Sequence, residues 1–191
     1  MGLDSVELLM KIEDYFAIRI SNAEAERIST VQEMVDVVAR HLNVEQTSSE
    51  LQQTVFNTVA IYFSNTGNMQ LKDRIAEYLQ KENKEQWTSL EQAIGLNIPR
   101  PSGTSRISHK LIAKFTRLIA APVGYDWNTL LVRNFVDVIC ARNYHQLIPG
   151  NSITSKYEIF IIIIAITVEQ TGVEYFEVLP EKSFTNDLGV D

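Results

Sequence analysis

The chain has 191 residues, 45% of them hydrophobic, and a formal net charge of −7, which is enough apolar material to bury one large core or two small ones. A single cysteine, Cys140, excludes an internal disulfide framework and any Cys-rich zinc site. The charge is uneven: residues 1–46 carry nine acids against four bases, residues 153–191 seven against two, and residues 47–152 eight against eleven, so the ends read as one electrostatic unit and the centre as another, and the acidic ends offer nucleic acid no basic cluster.

In chain order the elements are mostly helical. In MGLDSVELLMKIEDYF, Leu9, Ile12 and Phe16 recur at helical spacing while Glu7 and Asp14 share another face, which predicts an amphipathic helix with an acidic stripe. Asp4 and Ser5 stand where that helix begins, and either side chain suits the free amides of a first turn. AIRISNAEAERIS breaks the period and predicts a loop with one short helical turn. TVQE (30–33) is a Thr-x-x-Glu capping box ahead of Val31, Val35, Val38 and Leu42, a second helix. MQLKDRIAEYLQKEN, beginning at Met69, is a further helix candidate, and IPRPSGTSR (98–106), with two prolines and a glycine, predicts a flexible loop. Trp87 and Trp127 are expected in local cores rather than in ligand sites. From Ser155 to Gln170 the chain is apolar enough to be buried all round, and Gly172 is placed to end a helix there. Its longest apolar run, IFIIIIAITV, is half of the ~20 residues that a membrane span needs. The Met1 end lacks the cationic start and apolar run of a secretory signal, so a cytoplasmic protein is expected. In the closing VEYFEVLPEKSFTNDLGVD, Val173, Phe176, Val178, Phe184 and Leu188 are spaced to lie over a small core.

The centre repeats the ends at a spacing of about one hundred residues. SHKLIAKFTRLIA (108–120) aligns with SVELLMKIEDYFA (5–17), FVDVI (135–139) with MVDVV (34–38), and TVFNTVAIYFSNTG (54–67) parallels YEIFIIIIAITVEQTG (157–172). In the central copy Ser108 is kept, but Ile107 stands in the place of Asp4, and Lys110 and Arg117 replace Glu7 and Asp14. Lys110, Lys114 and Arg117 share one helical face.

GLDSVELLMKIEDYFAIRI followed by AEAERISTVQEMVDVV resembles the second half of an acyl carrier protein, with its Asp-Ser motif, the acidic helix after it and the start of the last helix. VEQTGVEYFEVLPEKSFTNDLGVD resembles the first half of the same family, leading into Asp-Leu-Gly-x-Asp-Ser. Read with residues 153–191 ahead of residues 2–45, the joint DLGVD/GLDS recreates that signature, so the chain resembles a circularly permuted carrier domain with a second, degenerate carrier-like domain inserted. Small domains tolerate such cuts at exposed loops. The resemblance implies an all-α protein of two four-helix bundles, one assembled from residues 1–46 plus 153–191 and the other from 47–152. It further implies that a phosphopantetheinyl transferase attaches 4′-phosphopantetheine covalently to Ser5, with Asp4 supporting the motif. Glu7, Glu13 and Asp14 would then dock the transferase and the enzymes that load and transfer acyl groups in fatty-acid, polyketide or related lipid metabolism. Ser108, without the preceding aspartate and with a basic helix, is expected to stay unmodified.

No enzyme is expected. His41, His109 and His145 have no carboxylate or cysteine at ligand spacing, no metal site is indicated, and GxSxG, P-loop and HExxH patterns are absent. His41 and His145 are expected to end corresponding helices, where the helix dipole favours them. Residues 153–191 could complete the amino-terminal half of their own chain or of a second copy, giving a segment-exchanged oligomer. A non-loaded, carrier-like adaptor that only docks partner enzymes is the alternative to a loaded carrier.

Overall fold

A computed structural model describes residues 3–48, 50–101, 125–149 and 152–190. Among them the regular structure is all α: α1 (Leu3–Phe16), α2 (Asn22–Ala25), α3 (Val31–Leu42), α4 (Glu50–Tyr62), α5 (Lys84–Ile94), α6 (Val132–Arg142), α7 (Tyr144–Leu147) and α8 (Lys156–Thr171), with 3-10 turns at Ile75–Glu77 and Tyr175–Glu177. Ser108 and the basic face of Lys110, Lys114 and Arg117 lie outside the described residues.

Local chemistry sets most helix ends. Thr30 Oγ1 accepts from the Glu33 amide at 3.2 Å while the Glu33 carboxylate accepts from the Thr30 amide at 3.0 Å, and Ser155 and Glu158 make the same reciprocal pair ahead of α8. Gly172, at φ 66°, ends α8 in the left-handed region. α1 begins at Leu3, so Asp4 and Ser5 lie inside its first turn rather than ahead of it. Its buried stripe is Leu8, Ile12 and Phe16, spaced by four, and Leu9 is only partly covered.

Three expectations are corrected. MQLKDRIAEYLQKEN is no helix beyond the Ile75–Glu77 turn, because its backbone is bonded elsewhere: the amides of Val132 and Arg133 donate to the carbonyls of Asp73 and Leu71, and the Ile75 amide donates to Leu130. The helix forms later, as α5, capped by Asn83 and ended by Gly95. His145 sits in the separate short α7, not at the end of α6. Of residues 98–101, Ile98 is buried and Arg100 is held at 2.7 Å by Glu91, so the start of the expected flexible loop is anchored.

α8 occupies the middle of the molecule. It packs against α1 and α3 on one side and α6 on another, which explains why Ile159 and Ile161 through Ile164 are all buried and why no polar stripe interrupts the helix. Each such side chain contributes about 1.5–3 kcal/mol of burial. The closing loop lies over the same core, with Val173, Phe176, Val178, Phe184 and Leu188 all buried. It pairs with the start of α3: the Val31 amide donates to Lys182 at 3.0 Å, Gln32 to Pro180 at 2.9 Å, and Phe184 to Ser29 at 3.0 Å, around an antiparallel bridge between Thr30 and Ser183. Residues 29–32 and 180–184 thus lie side by side.

α4, α5 and α6 form the other group of helices, with α6 packed on α4 and α5 also on α4. The start of α6 repeats the pairing of α3 bond for bond: Val132 to Asp73 at 2.8 Å, Arg133 to Leu71 at 3.0 Å, and Ile75 to Leu130 at 2.9 Å, around a bridge between Arg74 and Leu131. The sequence repeat FVDVI/MVDVV is therefore a structural one, with Phe135, Val136, Val138 and Ile139 buried as Met34, Val35, Val37 and Val38 are.

Candidate functional site

Ser5 is half-buried in the first turn of α1, directly after Asp4. An acid in that turn faces the positive end of the helix dipole. Beside Ser5 opens a groove of about 460 Å³, lined by Leu8 and Leu9 of α1, Ile28 ahead of α3, Met34 of α3, and Phe184 and Val190 of the closing loop; Glu26 borders it as well. Four separate stretches of sequence build this wall. They are brought together by the α1–α8–α3 packing and by the bonds between residues 29–32 and 180–184.

The acidic residues of α1 divide. Glu7 and Asp14 are exposed; the Glu7 carboxylate accepts from Gln170 Nε2 at 3.0 Å, and Asp14 lies 3.5 Å from Arg19. Glu13 is turned inward, with 12% of its side chain exposed, and accepts from the Ile20 amide at 2.6 Å. It fastens the chain where Ala17, at φ 53°, reverses direction out of α1. Sequence reasoning passed over Val6 and Met10, which are 38% and 55% exposed. Both lie off the buried stripe at 8, 12 and 16, and Met10 falls between Glu7 and Asp14 at helical spacing, so the outer face of α1 combines acid with exposed apolar surface.

Among the described residues no cluster of His, Cys, Asp or Glu could hold a metal ion, and no helix is long and apolar enough to cross a membrane. His41 lies 3.4 Å from Glu24 near the end of α3, a surface contact away from the groove.

No family model matches the chain, and no solved structure matches it. One stretch does find a relative. Over 40 residues, 21% of this chain, the sequence is 51% identical to an acyl carrier protein of Rubrobacter xylanophilus, and those residues cover 49% of that protein. Part of this chain is acyl-carrier-like. The chain spans about half the length of the curated relative it matches.

The residues present fit the prosthetic group that carriers bear. Ser5 keeps part of its surface exposed at a helix N-terminus, where amides and dipole favour a phosphodiester, and an apolar groove starts at the same residue.

Proposed function

We propose that this protein is a non-enzymatic acyl carrier, with residues 1–46 and 153–191 forming the carrier unit in permuted order around a central, degenerate copy. The observation that carries the reading is Ser5: a half-buried serine in the first turn of α1, directly after Asp4, bordering a groove whose other walls are mainly apolar side chains. A 4′-phosphopantetheine arm on Ser5 supplies a terminal thiol on which acyl groups are held as thioesters. The chain itself presents and shelters. Ser5 anchors, Asp4 orients the anchor toward the transferase, and Leu8, Leu9, Met34 and Phe184 remove an apolar chain from water at about 25 cal/mol for each Å² covered.

Glu7 and Asp14, with Met10 between them, supply the docking face. Acid on that face steers basic partner surfaces toward Ser5 and makes encounter depend on salt. Glu13 contributes to the shape of the α1 exit instead, since its carboxylate is committed to Ile20.

Intact mass spectrometry after incubation with a phosphopantetheinyl transferase and coenzyme A tests the reading. One added phosphopantetheine is expected on the wild type and none on Ser5→Ala. A folded wild type that gains no mass is instead the adaptor, holding the carrier fold without a load.

A further inference from the structure

The turn that leaves α1 is built around one residue of that helix. The Ile18 amide donates to the Glu13 carbonyl at 3.0 Å, and the Ile20 amide to the Glu13 carboxylate at 2.6 Å, with the Ile20 side chain buried. Arg19 stands between these two anchored positions, and its side chain reaches back over the end of α1: Nη1 lies 3.6 Å from Glu13 Oε2 and 3.5 Å from Asp14 Oδ1. α1 has no basic residue in its own last turn, so Arg19 is also the cation that meets the negative end of the helix dipole.

The two exposed acids of the outer face therefore stand in different electrostatic surroundings. Asp14 has a cation beside it. Glu7 is bonded to a neutral amide, Gln170 Nε2 at 3.0 Å, and Lys11, exposed on the same helix, forms an ion pair with neither acid. Seven residues of helix set the two acids about 10 Å apart along the axis. That exceeds the screening length of about 8 Å at physiological salt, so the guanidinium at Asp14 leaves the field at Glu7 standing. Glu7 is the acid nearer to Ser5, and the exposed side chains of Val6 and Met10 adjoin it.

We propose that Arg19 is an internal competitor for the docking face of α1, holding Asp14 in the free chain so that a basic enzyme surface is drawn to Glu7, beside Ser5. The proposal rests on the carrier reading for the kind of partner. The partner that fits is a phosphopantetheinyl transferase presenting one cation to Glu7 next to an apolar contact for Val6 and Met10. A second cation gains Asp14 only by displacing Arg19, and like charge at the same carboxylate opposes it.

Equilibrium binding of a phosphopantetheinyl transferase to the full chain, with coenzyme A omitted so that Ser5 stays unloaded, tests it. Arg19→Gln is expected to tighten binding about three-fold at low salt, and Arg19→Lys, which keeps the charge, to stay near the wild type. Asp14→Asn is expected to change the wild-type affinity by less than about two-fold yet to undo the gain in the Arg19→Gln background, while Glu7→Gln weakens binding about five-fold. A general effect of Arg19 on the end of α1 would instead leave Asp14→Asn with the same effect in both backgrounds. Glu7→Gln and Asp14→Asn keep Arg19 in place, so their contrast reads out even where Arg19→Gln fails to fold. Unchanged or weaker binding by a folded Arg19→Gln, equal effects of Asp14→Asn in the two backgrounds, or equal losses from Glu7→Gln and Asp14→Asn each overturn the competitor. Loss of the carrier reading shows separately, as no mass gain at Ser5 once coenzyme A is added, and a transferase that binds none of these chains overturns both.

Discussion

Helices α3 and α6 are entered through the same backbone bonds, yet the aspartate at the same place on each has opposite surroundings. Asp36 keeps 46% of its side chain exposed and accepts from Lys156 Nζ at 2.8 Å. Asp137, 8% exposed, accepts from Tyr157 Oη at 2.8 Å and from Gln52 Nε2 at 2.6 Å. Lys156 and Tyr157 are neighbours on α8, one serving each copy. The difference teaches that the two segments match where the backbone must be satisfied and differ where side chains decide. The extended segments cannot change register without orphaning buried amides, whereas a carboxylate can pass from a wet ion pair to a buried network if donors are found for it.

The largest expected contrast sits two positions upstream of these aspartates. Phe135→Ala removes a fully buried ring from between two tryptophans and is expected to cost about 3–5 kcal/mol, while Met34→Ala, which borders an open groove, falls near about 2 kcal/mol; urea denaturation of both measures the gap. Equal losses would mean that the two copies are packed alike.

The aspartates themselves differ in pH response. Burial raises the Asp137 carboxyl from its ordinary value of 3.8 to about 6, against the lowering effect of Tyr157, Gln52 and Arg133; Cys140 beside it is pushed up to about 12, again by burial. The folded chain therefore binds the Asp137 proton more tightly than the unfolded one. The stability from this group is complete below about pH 3.8, is lost as pH rises through about 6, and the loss amounts to about 3 kcal/mol. Asp137→Asn is expected to raise the melting temperature at pH 7.5 and to remove that decline between pH 4 and 6. Asp36→Asn should shift stability by no more than about 1 kcal/mol, with a salt dependence typical of exposed pairs. Melting curves of the three proteins across pH, at low and high salt, show whether the step belongs to Asp137.

The smallest contrast concerns helix exits. α8 leaves through Gly172 and α5 through Gly95, but α1 leaves through Ala17 at φ 53°. Left-handed backbone strains a Cβ, so Gly172→Ala is expected to cost about 1 kcal/mol and Ala17→Gly to gain about 0.5 kcal/mol, both readable in chemical denaturation.

Much of this fold was legible because it is decided locally. The capping boxes at Thr30 and Ser155, the stop at Gly172 and the all-round apolar α8 follow from residues within a few positions of each other. Helix α5 was misplaced because the carbonyls of Leu71 and Asp73 are claimed by Arg133 and Val132, partners some sixty residues away that no window of sequence contains. Glu13 was expected among the docking acids that the family resemblance implies, and only the reversal at Ala17 brings the Ile20 amide within its reach. Ser5 stood out through its Asp-Ser motif, but spacing alone made it an ordinary first-turn serine. The groove was invisible for a different reason: each contributing stretch offers it one or two side chains, and their meeting is a property of tertiary packing.

The placing of α8 has a mechanical consequence. Its sixteen residues act as a party wall, leaned on from the terminal side by α1 and α3 and from the central side by α6. Removing that wall would uncover isoleucine on both sides at once, so partial opening of either half exposes the other and favours melting as one cooperative unit. Independent swinging of the halves, the usual freedom of two-domain chains, is given up for mutual bracing.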